Sequence, residues 1–223
     1  MQHADTWSPI AAAVGERYPV RLLDFETWTL EERVDELRSA GSGAVVVAYS
    51  MGGRLALHPA LDGAFAGLIV VGSSAGIEDA GERQRRRAED LELAAWIETH
   101  PIDEVVARWE RNPVFASQSA VLVDSQRAGR LAHSPADLAR LLRSAGQGGM
   151  DPIWDRLGSL AMPVLALAGE DDITYRAAAE RIASLVPRGS SGVIAGAGHA
   201  AHLEAPGAVA DAILTFLGEF WGL

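Results

Sequence analysis

The sequence predicts an α/β protein built on a mostly parallel sheet with helices on both faces. Three observations predict it. Short β-branched or leucine-rich runs alternate with longer helical patterns. Strands such as VLALA are apolar throughout, as expected of a sheet buried on both sides. The polar residues gather on the helices, which then form the surface. At 223 residues the chain can bury one substantial core, and one globular unit is the default.

Taken in order, Asp5 or Thr6 caps a helix running through Arg17, and Pro19–Phe25 follows as a strand. LEERVDELRSA, Leu30–Ala40, is helical with Leu30, Val34 and Leu37 on one face. Val45–Tyr49 is a strand, Met51–Pro59 starts a helix, and GLIVVG at Gly67–Gly72 is another strand. From Ser74 to about Gly149 charged helices dominate and no strand is expected, so this stretch reads as an insertion above the sheet. The implied organisation is a core of residues 1–73 and 150–223 with a helical cap at 74–149. Alternation resumes with a strand at Met162–Ala168, a helix at Tyr175–Leu185, a strand at Gly192–Ala195 and a helix at Ala205–Trp221. Trp221 packs either a dimer or only the final helix, and the oligomeric state stays open.

A formal charge of −11 argues against nonspecific affinity for nucleic acid or anionic membranes, because both are polyanions. An anionic ligand must therefore meet a local basic cluster. The absence of cysteine excludes disulfides, thiolate chemistry and cysteine-rich zinc sites. No run approaches the ~20 apolar residues that cross a bilayer, and the first residues lack the pattern of a signal peptide, so a soluble cytoplasmic protein is expected. The histidines have no ligand spacing and no Gly-rich phosphate loop follows the first strand, so no metal or organic cofactor is implied.

Ala48-Tyr49-Ser50-Met51-Gly52 departs from G-x-S-x-G only at its first position, where alanine is nearly as small as glycine. Small residues let a strand turn sharply into a helix and expose the serine oxygen above the sheet. The bland alternative is a serine capping a helix. In such an architecture the acid follows a later strand and the histidine follows the last one. Gly169-Glu170-Asp171-Asp172 and Gly196-Ala197-Gly198-His199 stand at those places. Asp172 is the candidate acid with Asp171 its rival, and either could instead cap the next helix. His199 is the candidate base; His202 reads as a supporting or surface histidine. His3, His58, His100 and His133 read as ordinary surface or packing residues.

These residues resemble the α/β-hydrolases. Within them they resemble the 2-succinyl-6-hydroxy-2,4-cyclohexadiene-1-carboxylate synthases of menaquinone biosynthesis, from about Thr6 to the C-terminus. YSMGGR at 49–54, ERQRRRAED at 82–90, NPVFAS at 112–117, GEDD at 169–172 and AGHAAHLEAP at 197–206 carry the resemblance. It implies an α/β-hydrolase fold and a lyase in which a Ser50, His199, Asp172 set removes a proton and an electron shift through the conjugated system expels pyruvate. It further implies Met51 as an oxyanion-hole N–H, and Arg54, Arg86, Arg130, Tyr49 and Trp109 around a polycarboxylate substrate. Glu110 stands where that family often has an aromatic residue. Chemistry independently requires converging arginines, since guanidinium groups bind carboxylates through paired, charge-assisted hydrogen bonds. Arg83, Arg85 and Arg87 read instead as a solvated helix face paired with Glu82, Glu89 and Asp90.

Family members begin with a strand and an HGF-type loop that supplies a second oxyanion donor. That strand lies between those represented here by residues 19–25 and 45–49, and the sequence as given begins just past the loop. Three functions are thus open: the lyase, a carboxylic ester hydrolase of the same fold, and a non-catalytic relative. An esterase needs an apolar acyl pocket, whereas the lyase needs cations around Ser50.

Overall fold

The computed structural model describes residues 2–222. After a 3-10 turn at Ala4–Trp7 comes α1, Ser8–Gly15, then α2, Leu30–Ala40. The first strand, β1, Val45–Tyr49, turns at Ser50 into α3, Met51–Leu61, and β2 is Gly67–Val71. Four helices follow: α4, Ala80–Glu98; α5, Ile102–Glu110; α6, Ala120–Leu131; and α7, Pro135–Ala145. The alternation then resumes through β3, Val164–Gly169, and α8, Ile173–Leu185. It continues through β4, Gly189–Ile194, α9, Ala201–Glu204, and α10, Pro206–Trp221.

The four strands are parallel in the order β1-β2-β3-β4. In register, Tyr49 lies beside Val71, and Gly169 beside Ile194. Every residue of β2 and β3 is buried, because helices cover both faces. On one face Leu68, Val70, Val164 and Ala166 pack against Leu55, Leu57 and Ile182 of α3 and α8. On the other, Ile69, Val71, Leu165 and Leu167 meet Ile10, Val14, Val209 and Ile213 of α1 and α10. A further apolar cluster, Ala94, Ile97, Val105, Leu138 and Ala139, lies within α4, α5 and α7, so these helices share a small centre of their own.

Two expectations fail at the front of the chain. Residues 19–25 form no strand: a strand exists only where its backbone groups find a ladder. Among the described residues β1 is the sheet's edge on that side. The segment's apolar residues consequently stay outside, with Val20, Leu22 and Leu23 exposed. Neither Asp5 nor Thr6 caps α1. Its N-cap is Trp7, with no side-chain cap bond, and the Thr6 hydroxyl donates to the His3 carbonyl instead. Strand β4 also begins earlier than the sequence suggests, because Gly189, Ser190 and Ser191 are poor strand formers that pair with β3 all the same.

The indole of Trp221 packs on the sheet. A side chain at Gly67 in β2 would run into its Cη2 atom, at 2.6 Å from the Cβ position. That close approach is the packing of the final helix, one of the two roles expected of Trp221.

Candidate active site

Ser50 sits at the hinge between β1 and α3 with φ 50° and ψ −114°, and among the described residues it alone is a non-glycine at positive φ. Such a backbone costs roughly 1–3 kcal/mol and persists only where the surroundings enforce it. Here they do. The Ser50 N–H donates to the Val71 carbonyl at 2.8 Å, and the Ser73 hydroxyl donates to the Ser50 carbonyl at 2.9 Å. A Cβ on Gly53 would lie 2.6 Å from the Ser73 oxygen, so this helix must carry glycine there to approach β2. At Gly52 a Cβ would be an ordinary 3.8 Å from that of Ala48, which explains why alanine is tolerated at the first motif position.

The serine oxygen is 3.0 Å from His199 Nε2, and His199 Nδ1 is 2.7 Å from Asp172 Oδ2. Asp172 and His199 are both buried, whereas Asp171 is exposed, so burial separates the two candidate acids. Asp172 also caps α8, since its other oxygen accepts the Tyr175 N–H at 3.4 Å. The two readings of this aspartate, helix cap and histidine partner, are therefore both met by one carboxylate. Met51 opens α3, so its N–H has no acceptor within the helix and is available above the hinge.

The predicted binding residues divide into three environments. Arg54, one turn into α3, is 8 % exposed; its Nε has no partner, and no carboxylate pairs with it among the described residues. Burial holds its guanidinium below the ordinary arginine pKa. Arg86 on α4 is anchored by Asp90 at 2.9 Å and Gln147 at 2.9 Å, and its like charge adds to the downward shift on Arg54. Asp90 is buried and also accepts the Gly148 N–H at 3.0 Å, so it is not the surface partner expected from the sequence. Arg85 and Arg87 are exposed. Arg130, 2 % exposed, pairs with Glu110 at 3.2 Å, and Arg127 shares the same carboxylate. The residue at 110 thus holds Arg130 rather than offering an aromatic wall.

Tyr49 stacks obliquely between the two histidines, with ring centroids 5.2 Å from His199 and 4.3 Å from His202. Its hydroxyl is buried without a partner among the described residues, and burial drives the phenol well above its usual pKa, so it stays protonated at neutral pH and can donate a hydrogen bond. Trp109 is one step further out: it packs at 5.4 Å on Phe115, whose ring is 6.2 Å from His199. His202 is buried against Trp7 at 4.6 Å, and burial pulls its pKa down to about 3. It is a neutral support. His133 stacks on His3 at 4.5 Å and His100 on Trp96 at 4.1 Å, both as packing residues.

Sequence reasoning missed Tyr175, whose ring is 4.6 Å from that of His199. It stands one turn after Asp172, and that helical spacing from the acid was the available signal. It also assigned no role to Phe115, inside the quoted NPVFAS stretch, or to Glu204.

Residues 2–212 match the model of the alpha/beta hydrolase family. The chain belongs to that family. A Salmonella heidelberg (strain SL476) protein named 2-succinyl-6-hydroxy-2,4-cyclohexadiene-1-carboxylate synthase is 33% identical over 174 residues, 77% of this chain and 67% of the relative. A Bacillus subtilis (strain 168) protein, provisionally named as the same synthase, is 30% identical over 220 residues, 96% of this chain and 77% of the relative. The chain therefore falls within that synthase branch of the α/β-hydrolases. Among solved structures, MenH from S. aureus superposes with a TM-score of 0.90 at 28% identity, covering 99% of this chain and 91% of that one. A thermophilic esterase from Thermogutta terrifontis gives 0.79 at 20% identity over 98% and 86% of the two chains, a likeness of fold alone.

Proposed function

We propose that this chain is a carbon–oxygen lyase that eliminates pyruvate from an enolpyruvyl cyclohexene carboxylate to give 2-succinyl-6-hydroxy-2,4-cyclohexadiene-1-carboxylate in menaquinone biosynthesis, acting in the cytoplasm. Its substrate is a small polycarboxylate, and the names of its relatives support this reading. The single observation that carries it is Arg54, a buried guanidinium one helical turn after Ser50 that has no counter-ion among the described residues. An uncompensated buried cation is costly, and a substrate carboxylate is the partner that would repay it. An apolar acyl pocket would have no use for it.

In this reading His199 takes the Ser50 hydroxyl proton, and Asp172 fixes the imidazole so that Nε2 is the acceptor. The Ser50 oxygen removes a carbon-bound proton, whose electron pair forms a new double bond. The ring double bond shifts, the bond to the enolpyruvyl oxygen breaks, and the departing enolate takes up the proton that His199 holds to become pyruvate, which leaves Ser50 protonated and His199 neutral again. Negative charge gathering on the activating carbonyl meets the Met51 N–H. Arg54 and Arg86 hold carboxylates, Tyr49 offers its phenolic O–H as a hydrogen-bond donor, Trp109 and Phe115 line the apolar part, and Arg130 adds positive charge through its shared pair with Glu110. Residues 74–149 are the cap that carries Arg86 and Trp109 over the core of 1–73 and 150–223.

Purified protein is given the enolpyruvyl intermediate and, separately, short aryl esters. Pyruvate release with slow ester hydrolysis supports the lyase. Ready ester hydrolysis without pyruvate release refutes it.

A further inference from the structure

The loop that carries His199 is held by a carboxylate with no place in the chemistry. One oxygen of Glu204 accepts the Gly198 N–H at 2.9 Å and the other accepts the Ala200 N–H at 3.1 Å, so the carboxylate brackets His199 from both sides. Nothing else in the loop has this arrangement. Glu170 accepts the Gly196 N–H at 2.9 Å, and the Asp171 N–H donates to the Ala197 carbonyl at 3.0 Å, which ties the base of the loop to the strand carrying the acid. Gly198 leaves no room for movement, since a Cβ there would overlap the Ser117 hydroxyl. On the opposite side the His199 carbonyl lies 2.9 Å from where a Cβ on Gly72 would stand.

From this geometry we infer that Glu204 is a positioning residue for His199: its carboxylate fixes the peptides before and after the imidazole and thereby sets the Nε2–Ser50 distance. Ordinary capping of α9 is the weaker explanation. That helix is only Ala201–Glu204, and a cap would require the Ala200 N–H alone, whereas Gly198 lies upstream of it. A neutral amide in place of the carboxylate keeps one acceptor oxygen but points N–H donors at a backbone N–H, so one anchor is lost while volume is unchanged.

The inference rests on Ser50 and His199 working as a pair, and not on the identity of the substrate. Its test is the rate at which a fluorophosphonate labels Ser50, expressed per folded molecule, in wild type, Glu204→Gln and Glu204→Asp. Absence of labelling in wild type would count against the site itself. With wild type labelled, Glu204→Gln is expected to slow labelling on the order of 10- to 100-fold, as misplacement of a catalytic group by about 1 Å does. Glu204→Asp, which retains the charge, falls between the two. The low-field proton resonance of the His199–Asp172 bond broadens or shifts in Glu204→Gln. Labelling of folded Glu204→Gln within about twofold of wild type overturns the inference. So does a resonance unchanged beside slowed labelling. If neither variant folds, Glu204 serves the fold rather than the imidazole, and the inference is equally overturned.

Discussion

Replacing Arg54 by methionine separates substrate binding from stability. The methionine keeps the unbranched stem that packs in α3 and removes the guanidinium. Because burial depresses the folded-state pKa of Arg54, the folded chain holds that proton less tightly than the unfolded chain does. The charged group therefore opposes folding at neutral pH, and deleting it relieves that opposition. No carboxylate is stranded by its loss, since Asp90 is held by Arg86 and the Gly148 N–H. The melting temperature should stay the same or rise. Binding should suffer, because a charge-assisted hydrogen bond contributes about 1.5–3 kcal/mol, which corresponds to a rise in KM of roughly 10- to 150-fold. Steady-state pyruvate release and a thermal melt on the same preparation read both effects. An unchanged KM, or a collapse in stability, would refute the reasoning. The contrasting variant is Asp90→Ala, which frees Arg86 and leaves the buried Gly148 N–H unpaired, so it should lose stability as well as affinity.

Gly72→Ala should place a side chain in the left-handed region at φ 57° and against the His199 carbonyl, lowering kcat more than it raises KM; the backbone alone costs ~1–2 kcal/mol, and equal kcat to wild type would contradict this. Stability should fall as pH drops from neutral toward acid: His202, held near pKa 3 by burial, must take up a proton on unfolding, so the unfolded state binds more protons between its own pKa and about 3. Urea titrations across that window should show a slope of up to ~1.4 kcal/mol per pH unit that flattens in His202→Gln, and an acid-insensitive wild type would refute it. Glu110→Gln should weaken the hold on Arg130 and Arg127 and destabilise the α5–α6 contact; a melting temperature equal to wild type would show that this pair contributes nothing.

Most of the core was legible because its elements obey one period each. VLALA and GLIVV could only be buried strands, and LEERVDELRSA could only be an amphipathic helix. The order Ser50, Asp172, His199 was legible because loops at strand ends converge on one edge of a parallel sheet. Residues 19–25 misled because strand propensity says nothing about whether a ladder partner stands beside the segment. Asp171 and Asp172 look alike in sequence and are told apart only by burial and by the 2.7 Å contact of Asp172 with His199. Glu110 looked like a lost aromatic, and only its distance to Arg130 shows an ion pair. Glu204 was invisible as a positioning group because its bonds go to backbone N–H groups, which leave no mark in the sequence.

The most direct test of the account is pyruvate release from the enolpyruvyl intermediate by wild type and by Ser50→Ala. If the serine oxygen is the group that His199 activates to take the carbon-bound proton, wild type releases pyruvate and the alanine variant, folded and still binding substrate, loses at least ~1,000-fold in kcat. Pyruvate release by Ser50→Ala at the wild-type rate, or none from wild type, would contradict it.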